Sequence, residues 1–136
     1  MTDMHEGELH IGSEGDIVTA RRLVRNAATA LGFGITDVTR IVTAASELTR
    51  NIYQYARSGT MRWRSLSEGL DVGLELTFED SGPGIPDVEK AMESGFSTGK
   101  GFGLGLPGAK RLMDEMSVQS ETGKGTKVRA RKWLRR

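Results

Sequence analysis

Between Leu70 and Phe78 the apolar residues fall on every second position: Leu70, Val72, Leu74, Leu76 and Phe78, with Asp71, Gly73, Glu75 and Thr77 between them and Glu79 after them. A period of two over so long a run is a strand with one face buried and one face wet. Such a strand needs a sheet whose apolar face is covered by another layer. The same parity continues to Asp80, which places a carboxylate on the core side. A carboxylate there requires a partner, so the end of this strand is the first candidate site.

Two helical stripes supply the covering layer. Ile17, Ala20, Val24, Ala27 and Leu31 recur at helical spacing after a cap at Ser13 or Asp16, with Arg21, Arg22 and Arg25 on the other side; Gly32 and Gly34 end the run. A second helix starts at Thr36 or Asp37 and carries Val38, Ile41, Val42, Ala45, Leu48, Ile52 and Tyr55, closing at Ser58-Gly59. Glu8–Ile11 reads as a short opening strand, and Met61, Trp63 and Ser65 alternate with Arg62 and Arg64 as a second one. Ser81–Pro86 is a glycine- and proline-rich loop, Asp87–Glu93 a short helix, and Ser94–Gly105 a glycine-rich segment. Leu106–Met116 reads as a helix with Pro107 in its first turn, where a missing N–H costs nothing. Val118–Ser120 and Thr126–Lys132 form a closing hairpin. The expected fold is an α/β (α+β) two-layer sandwich, a mixed, mostly antiparallel sheet with helices on one face. It forms one domain over 1–136, with no repeat or linker inside it.

Bulk composition narrows the chemistry. The 136 residues include no cysteine, which excludes disulfides and thiolate metal sites and fits a reducing, cytoplasmic setting. The only histidines are His5 and His10, which argues against a zinc enzyme or a serine–histidine triad. No apolar run approaches the roughly 20 residues that span a bilayer, and Met1–His10 lacks the apolar core of a signal peptide. Lys124–Arg136 holds seven basic residues and no acidic one. Arg129 and Arg131 alternate with Val128 and Ala130, as on an edge strand that keeps one face wet, so neither nucleic acid nor membrane is expected as a partner. Trp63, Trp133 and the methionines read as packing residues.

Four blocks can carry chemistry. Glu47 and Asn51 lie four apart on a helix, about 40° from each other. A carboxylate and an amide oxygen at that spacing can serve one magnesium–phosphate site, the amide as a ligand to a hard cation and the carboxylate to orient or deprotonate a hydroxyl; an exposed helix surface has the same pattern. Asp80-Ser81-Gly82-Pro83-Gly84-Ile85 can present a carboxylate to an exocyclic amine, with glycine backbone and Ile85 against a flat ring; it also describes a capped tight turn. Gly99-Lys100-Gly101-Phe102-Gly103-Leu104-Gly105-Leu106 runs into a helix whose N–H groups favour anions, with Lys100 adding a mobile charge. It lacks the context of a dinucleotide fingerprint and the spacing of a Walker loop, and a plain glycine-rich linker reads the same way. Gly123-Lys124-Gly125-Thr126 is a hairpin turn whose threonine hydroxyl can reach a ligand beside Asp80. Glycine is abundant, 18 of 136 residues against a usual share of about 7%, and much of it falls in these blocks.

In this order the blocks resemble the GHKL ATPase and kinase superfamily of gyrase, the ninety-kilodalton heat-shock chaperone, histidine kinases and MutL. Glu47-Leu48-Thr49-Arg50-Asn51 looks like its N box, and Asp80-Ser81-Gly82-Pro83-Gly84 like its first glycine box. Gly101–Gly105 looks like the second glycine box, and Gly125-Thr126 like the closing Gly-Thr motif. The likeness covers residues 8–132. Gly103-Leu104-Gly105-Leu106-Pro107-Gly108-Ala109-Lys110-Arg111-Leu112-Met113-Asp114 is similar to the bacterial anti-sigma regulatory kinases of stressosome signalling. The resemblance implies a Bergerat-type ATP-binding fold with ATP and Mg²⁺ as cofactors. Asn51 would bind the metal and Glu47 would serve as base or orienter. Asp80, with Thr126 nearby, would hold the adenine amino group, with Gly82, Gly84 and Ile85 along the ring. Gly101, Phe102, Gly103, Leu104 and Gly105 would line the phosphates, with Lys100, Ser97 and Thr98 near the terminal one. It further implies phosphorylation of a serine or threonine on a STAS-domain antagonist or scaffold, and a downstream phosphatase or other output enzyme as a second partner. The alternative is a non-catalytic anti-sigma factor that sequesters a partner; a stand-alone ATPase ranks last.

Overall fold

The structure, a computed structural model, describes residues 6–85, 87–88, 92 and 105–134. Five strands form one sheet: β1 (Glu6–Ile11), β2 (Gly59–Glu68), β3 (Asp71–Asp80), β4 (Glu115–Glu121) and β5 (Gly125–Trp133), in the order β1-β2-β3-β5-β4. Every pairing among these described strands is antiparallel. Among the described residues three α-helices, α1 (Gly15–Leu31), α2 (Ile35–Asn51) and α3 (Leu106–Leu112), join the sheet in an α/β sandwich. The core lies between them and one face of the sheet, with Val24, Ile41, Leu48, Met61, Leu74, Leu76, Phe78 and Leu106 almost wholly enclosed.

The helical stripes fold as their spacing predicts. Ile17, Ala20, Val24 and Ala27 of α1 are buried, as are Val38, Ile41, Val42, Ala45 and Leu48 of α2. The start of α1 is tied by Asp16, whose carboxylate accepts the N–H groups of Gly12 (2.8 Å) and Ser13 (2.9 Å) and the Ser13 hydroxyl (3.0 Å). These N–H groups hold the Asp16 carboxyl below its ordinary range, the Gly12 bond contributing most. At the other end Gly32 takes φ 102°, a left-handed cap that glycine adopts without steric cost.

Several boundaries differ from the sequence reading. The second helix starts at Ile35 rather than Thr36 or Asp37 and does not run evenly to Ser58: after Asn51 it widens into a π-turn over Ile52–Ala56. Leu70 is 92% exposed in the β2–β3 turn, so the buried alternation of β3 begins after it. The helix expected over Leu106–Met116 stops at Leu112, because Glu115 and Met116 are drawn into β4 opposite Arg131 and Ala130. The 87–93 segment is described only in part; there Met92 N–H bonds to the Val88 carbonyl at 3.0 Å, a helical spacing.

The far face of the sheet is where alternation misjudged burial. The register aligns Glu6, Arg64, Glu75, Arg131 and Glu115 in one row across all five strands, alternating in sign. Glu75 at its centre is 4% exposed, although its parity marks the wet face. It accepts the Arg64 and Arg131 Nε–H groups at 2.8 Å each, with Arg129 at 3.8 Å. Burial by itself pushes the Glu75 carboxyl up, but the two arginine hydrogen bonds outweigh it and hold the group below its usual range. The strand carrying Arg129 and Arg131 is therefore not an edge, as its alternation suggested; β5 lies between β3 and β4. Much of the basic C-terminal run is committed internally: Lys132 donates to the Leu112 carbonyl at 2.8 Å, and Lys124 pairs with Glu121 at 3.6 Å.

Candidate nucleotide site

The antiparallel path brings the ends of several elements together. Gly59 pairs with Asp80, and Asp80 with Thr126, so the ends of β2 and β3 and the start of β5 lie side by side where α2 finishes. A cleft opens there. Its apolar floor is made by Leu48, Ile52, Phe78, Ile85, Leu106 and Val128, and its polar groups are Asn51, Asp80 and Thr126, with Tyr55 and Gly84 at its walls. A mostly apolar cleft with a few converging polar groups is the usual form of a small-molecule site.

Asp80 is held by backbone. Its Oδ1 accepts the Gly82 N–H at 2.9 Å. Burial is the largest influence on the carboxyl and pushes it up, while the N–H groups of Gly82 and Thr126 pull it down; the net result is above the ordinary value. A carboxylate so placed gains most from a ligand that donates hydrogen bonds to it.

Asn51 reaches the cleft because it is the last residue of α2 before the π-turn. The extra residue per turn swings Ile52, Tyr55 and Ala56 against the cleft. Arg57 then leaves the turn at φ 70°, an uncommon conformation for a residue with a side chain. Glu47 is not among the residues that wall the cleft. Its Oε1 accepts Arg50 Nη1 at 2.8 Å, and its Oε2 lies against Gly105, where an added Cβ would come within 2.8 Å. The first turn of α3, where the glycine-rich segment ends, is thus brought to Glu47.

The glycines have different neighbours. Gly84 (φ 79°) lines the cleft but also abuts the Glu121 carbonyl of the β4–β5 hairpin, where no Cβ would fit. Gly82 faces Ala56 of the π-turn, with an added Cβ 2.5 Å from the Ala56 Cβ. Gly105 (φ 86°) caps α3. Lys100, Gly101, Phe102, Gly103 and Leu104, with Ser97 and Thr98, lie outside the described residues.

Periodicity put Ile52 and Tyr55 on the helical stripe but offered no sign of the π-turn that sets them at the cleft, or of Ser120, whose hydroxyl bonds to Ile85 and Thr126 beside it. Hairpin register could have pointed to Ser120, because it pairs with Thr126. The donor set also bears on the metal. Among the described residues no group of three or more His, Cys, Asp or Glu could hold an ion. One amide oxygen beside a ligand's phosphates suits Mg²⁺, which keeps several waters and takes few protein ligands.

Comparison with known proteins follows the same lines. Residues 36–136 match the family model described as histidine kinase-, DNA gyrase B-, and HSP90-like ATPase. The chain is 54% identical over 127 residues to "Serine/threonine-protein kinase RsbT" of Bacillus subtilis (strain 168), covering 93% of this chain and 96% of that one. It is 35% identical over 121 residues to "Anti-sigma F factor" of Thermoanaerobacter sp. (strain X514), covering 85% and 83%. Among solved structures it is similar to the RsbU and RsbW domains of a Mycobacterium tuberculosis protein, with a TM-score of 0.61 and 19% identity over 96% of this chain and 33% of that one. The catalytic domain of histidine kinase ThkA gives a TM-score of 0.54 at 17% identity, covering 93% and 97%. These two structures share the fold.

Proposed function

The chain belongs to the histidine kinase-, DNA gyrase B- and HSP90-like ATPase family, and from that membership we infer that it is a protein serine/threonine kinase of a bacterial partner-switching pathway. The observation that carries the reading is the convergence of Asn51, Asp80 and Thr126 on one cleft, with Glu47 Oε2 turned to the start of α3. ATP is the phosphoryl donor. Asp80 accepts the adenine amino group, the apolar floor takes the ring, and Gly105 at the start of α3 faces the phosphates.

Asn51 would hold Mg²⁺ together with the phosphates. When bound, the ion neutralises charge on the phosphate oxygens. Glu47 orients a serine or threonine hydroxyl of the protein substrate toward the γ-phosphorus. The hydroxyl oxygen bonds to that phosphorus as its bond to the β–γ bridging oxygen breaks, ADP leaves, and the hydroxyl proton passes to Glu47 and then to water. The transfer needs positioning and charge neutralisation more than covalent help.

The protein substrate is a STAS-domain antagonist or scaffold, and the released kinase engages a downstream phosphatase or other output enzyme, in the cytoplasm. The likeness to a relative named for serine/threonine kinase activity supports this reading. Incubation with Mg-ATP and a STAS partner should move the terminal phosphate onto a serine or threonine, and Glu47→Ala and Asn51→Ala should each abolish transfer. A second reading, a binding module that sequesters its partner, draws on the 35% identity to an anti-sigma factor. Stoichiometric capture of a partner with no phosphotransfer would favour it.

A further inference from the structure

The polar edge of the cleft contains a hydroxyl network whose protons can be assigned by counting. Ser120 of β4 stands opposite Thr126 of β5. Its Oγ accepts the Ile85 N–H at 2.7 Å, donates to the Gly125 carbonyl at 3.0 Å and lies 2.8 Å from the Thr126 hydroxyl. A serine hydroxyl offers one proton and two lone pairs. The proton goes to Gly125 and one lone pair to Ile85, which leaves only a lone pair for Thr126. The Thr126 hydroxyl is therefore the donor in that bond. It keeps no proton for the cleft and faces it as an acceptor. The Thr126 backbone N–H is committed as well, to Asp80.

We propose that Ser120 is a specificity-determining positioning residue. By taking the Thr126 proton and the Ile85 N–H, it leaves acceptors on this edge of the cleft and so selects a purine with an exocyclic amine over one with an oxo group at the same place. An oxo group there would set acceptor against acceptor and leave polar atoms unpaired in a partly buried site, which costs more than a hydrogen bond gains. The same hydroxyl pins the loop carrying Ile85 to the β4–β5 hairpin, so the ring contact and the polarity of the edge depend on one side chain. The inference rests on the cleft being a nucleotide site.

The test compares calorimetric affinities for ATP and inosine triphosphate, both with Mg²⁺, in the wild-type chain, Ser120→Ala and Ser120→Thr. In Ser120→Ala the Thr126 proton is free to turn to the cleft and meet an oxo group, so the preference for ATP should fall by about tenfold or more. Ser120→Thr keeps the hydroxyl and should keep the preference. A merely structural role would weaken both nucleotides by the same factor and leave the ratio unchanged, which overturns the proposal. If Ser120→Ala does not fold, Ser120→Cys, a near-isostere with a weak donor and acceptor, takes its place with the same criterion. In a Thr126→Val background the Ser120 change should no longer move the ratio, since the hydroxyl it controls is gone; a continued effect there contradicts the assignment. Wild-type chain that binds neither nucleotide would sink the nucleotide site itself. Tight ATP binding with an unmoved ratio in the variants would sink the role of Ser120 alone.

Discussion

At the scale of single residues, Asp80 is the point where stability opposes the nucleotide binding we propose. Its carboxyl is raised by burial, so between the ordinary aspartate range and the higher folded value the native state holds a proton that the unfolded chain has lost. Stability then falls as pH rises through that interval, and the penalty persists at neutral pH. Asp80→Asn keeps an oxygen for the Gly82 N–H and removes the desolvated charge. Its melting temperature at pH 7 should equal or exceed that of the wild type, and the difference should shrink as the pH is lowered below 4, read by thermal denaturation across pH. Gly105 makes a complementary case. Its φ of 86° disfavours any side chain, and a Cβ would come within 2.8 Å of Glu47 Oε2. Gly105→Ala should displace the carboxylate and lower kcat by about tenfold or more, with a smaller change in nucleotide affinity, because Asp80 and the apolar floor are untouched. Steady-state phosphotransfer kinetics separate the two effects.

At the scale of elements, the outer row from Glu6 to Glu115 explains how the sheet face opposite the described helices tolerates a buried acid. Glu75→Gln keeps the shape but leaves Arg64 and Arg131 without their shared anion, and should cost about 2–4 kcal/mol in urea unfolding. Because the carboxyl is held low, its contribution is present at neutral pH and is lost as pH falls through the folded value. Glu75 also marks where alternation stops being informative. The period of two assigned it to the wet face correctly, but long arginines from β2 and β5 roof it over, and cross-strand partners are set by register. Leu70 shows the opposite error, an apolar residue in phase with the strand but spent on the turn. The two long helices were legible because their stripes are long and regular. The π-turn was not, since one extra residue per turn shifts phase without changing composition. That Asp80 and Thr126 would meet at the cleft was legible because parity and turn position made each of them anomalous or well placed. Ser120 was silent, because its role depends on a pairing that exists only in the folded hairpin.

At the scale of the whole molecule, one face of the sheet carries the described helices and one end of the sandwich carries the cleft, so cleft and core share the same residues. Ile52, Phe78 and Val128 belong to the hydrophobic core and also floor the cleft. Nucleotide binding should therefore stabilise the chain as a unit: at a ligand concentration about 100 times Kd the linkage is worth about 2.7 kcal/mol, enough to raise the melting temperature by several degrees. Global unfolding should follow one transition with and without nucleotide, monitored by both circular dichroism and Trp fluorescence. The most direct test of the nucleotide cleft is calorimetric titration of Mg-ATP into the wild-type chain and Asp80→Asn. Saturable binding of one nucleotide per chain, lost or weakened at least tenfold in the folded variant, is the predicted result. No heat with the wild type at millimolar nucleotide, or equal affinity in the variant, would contradict it.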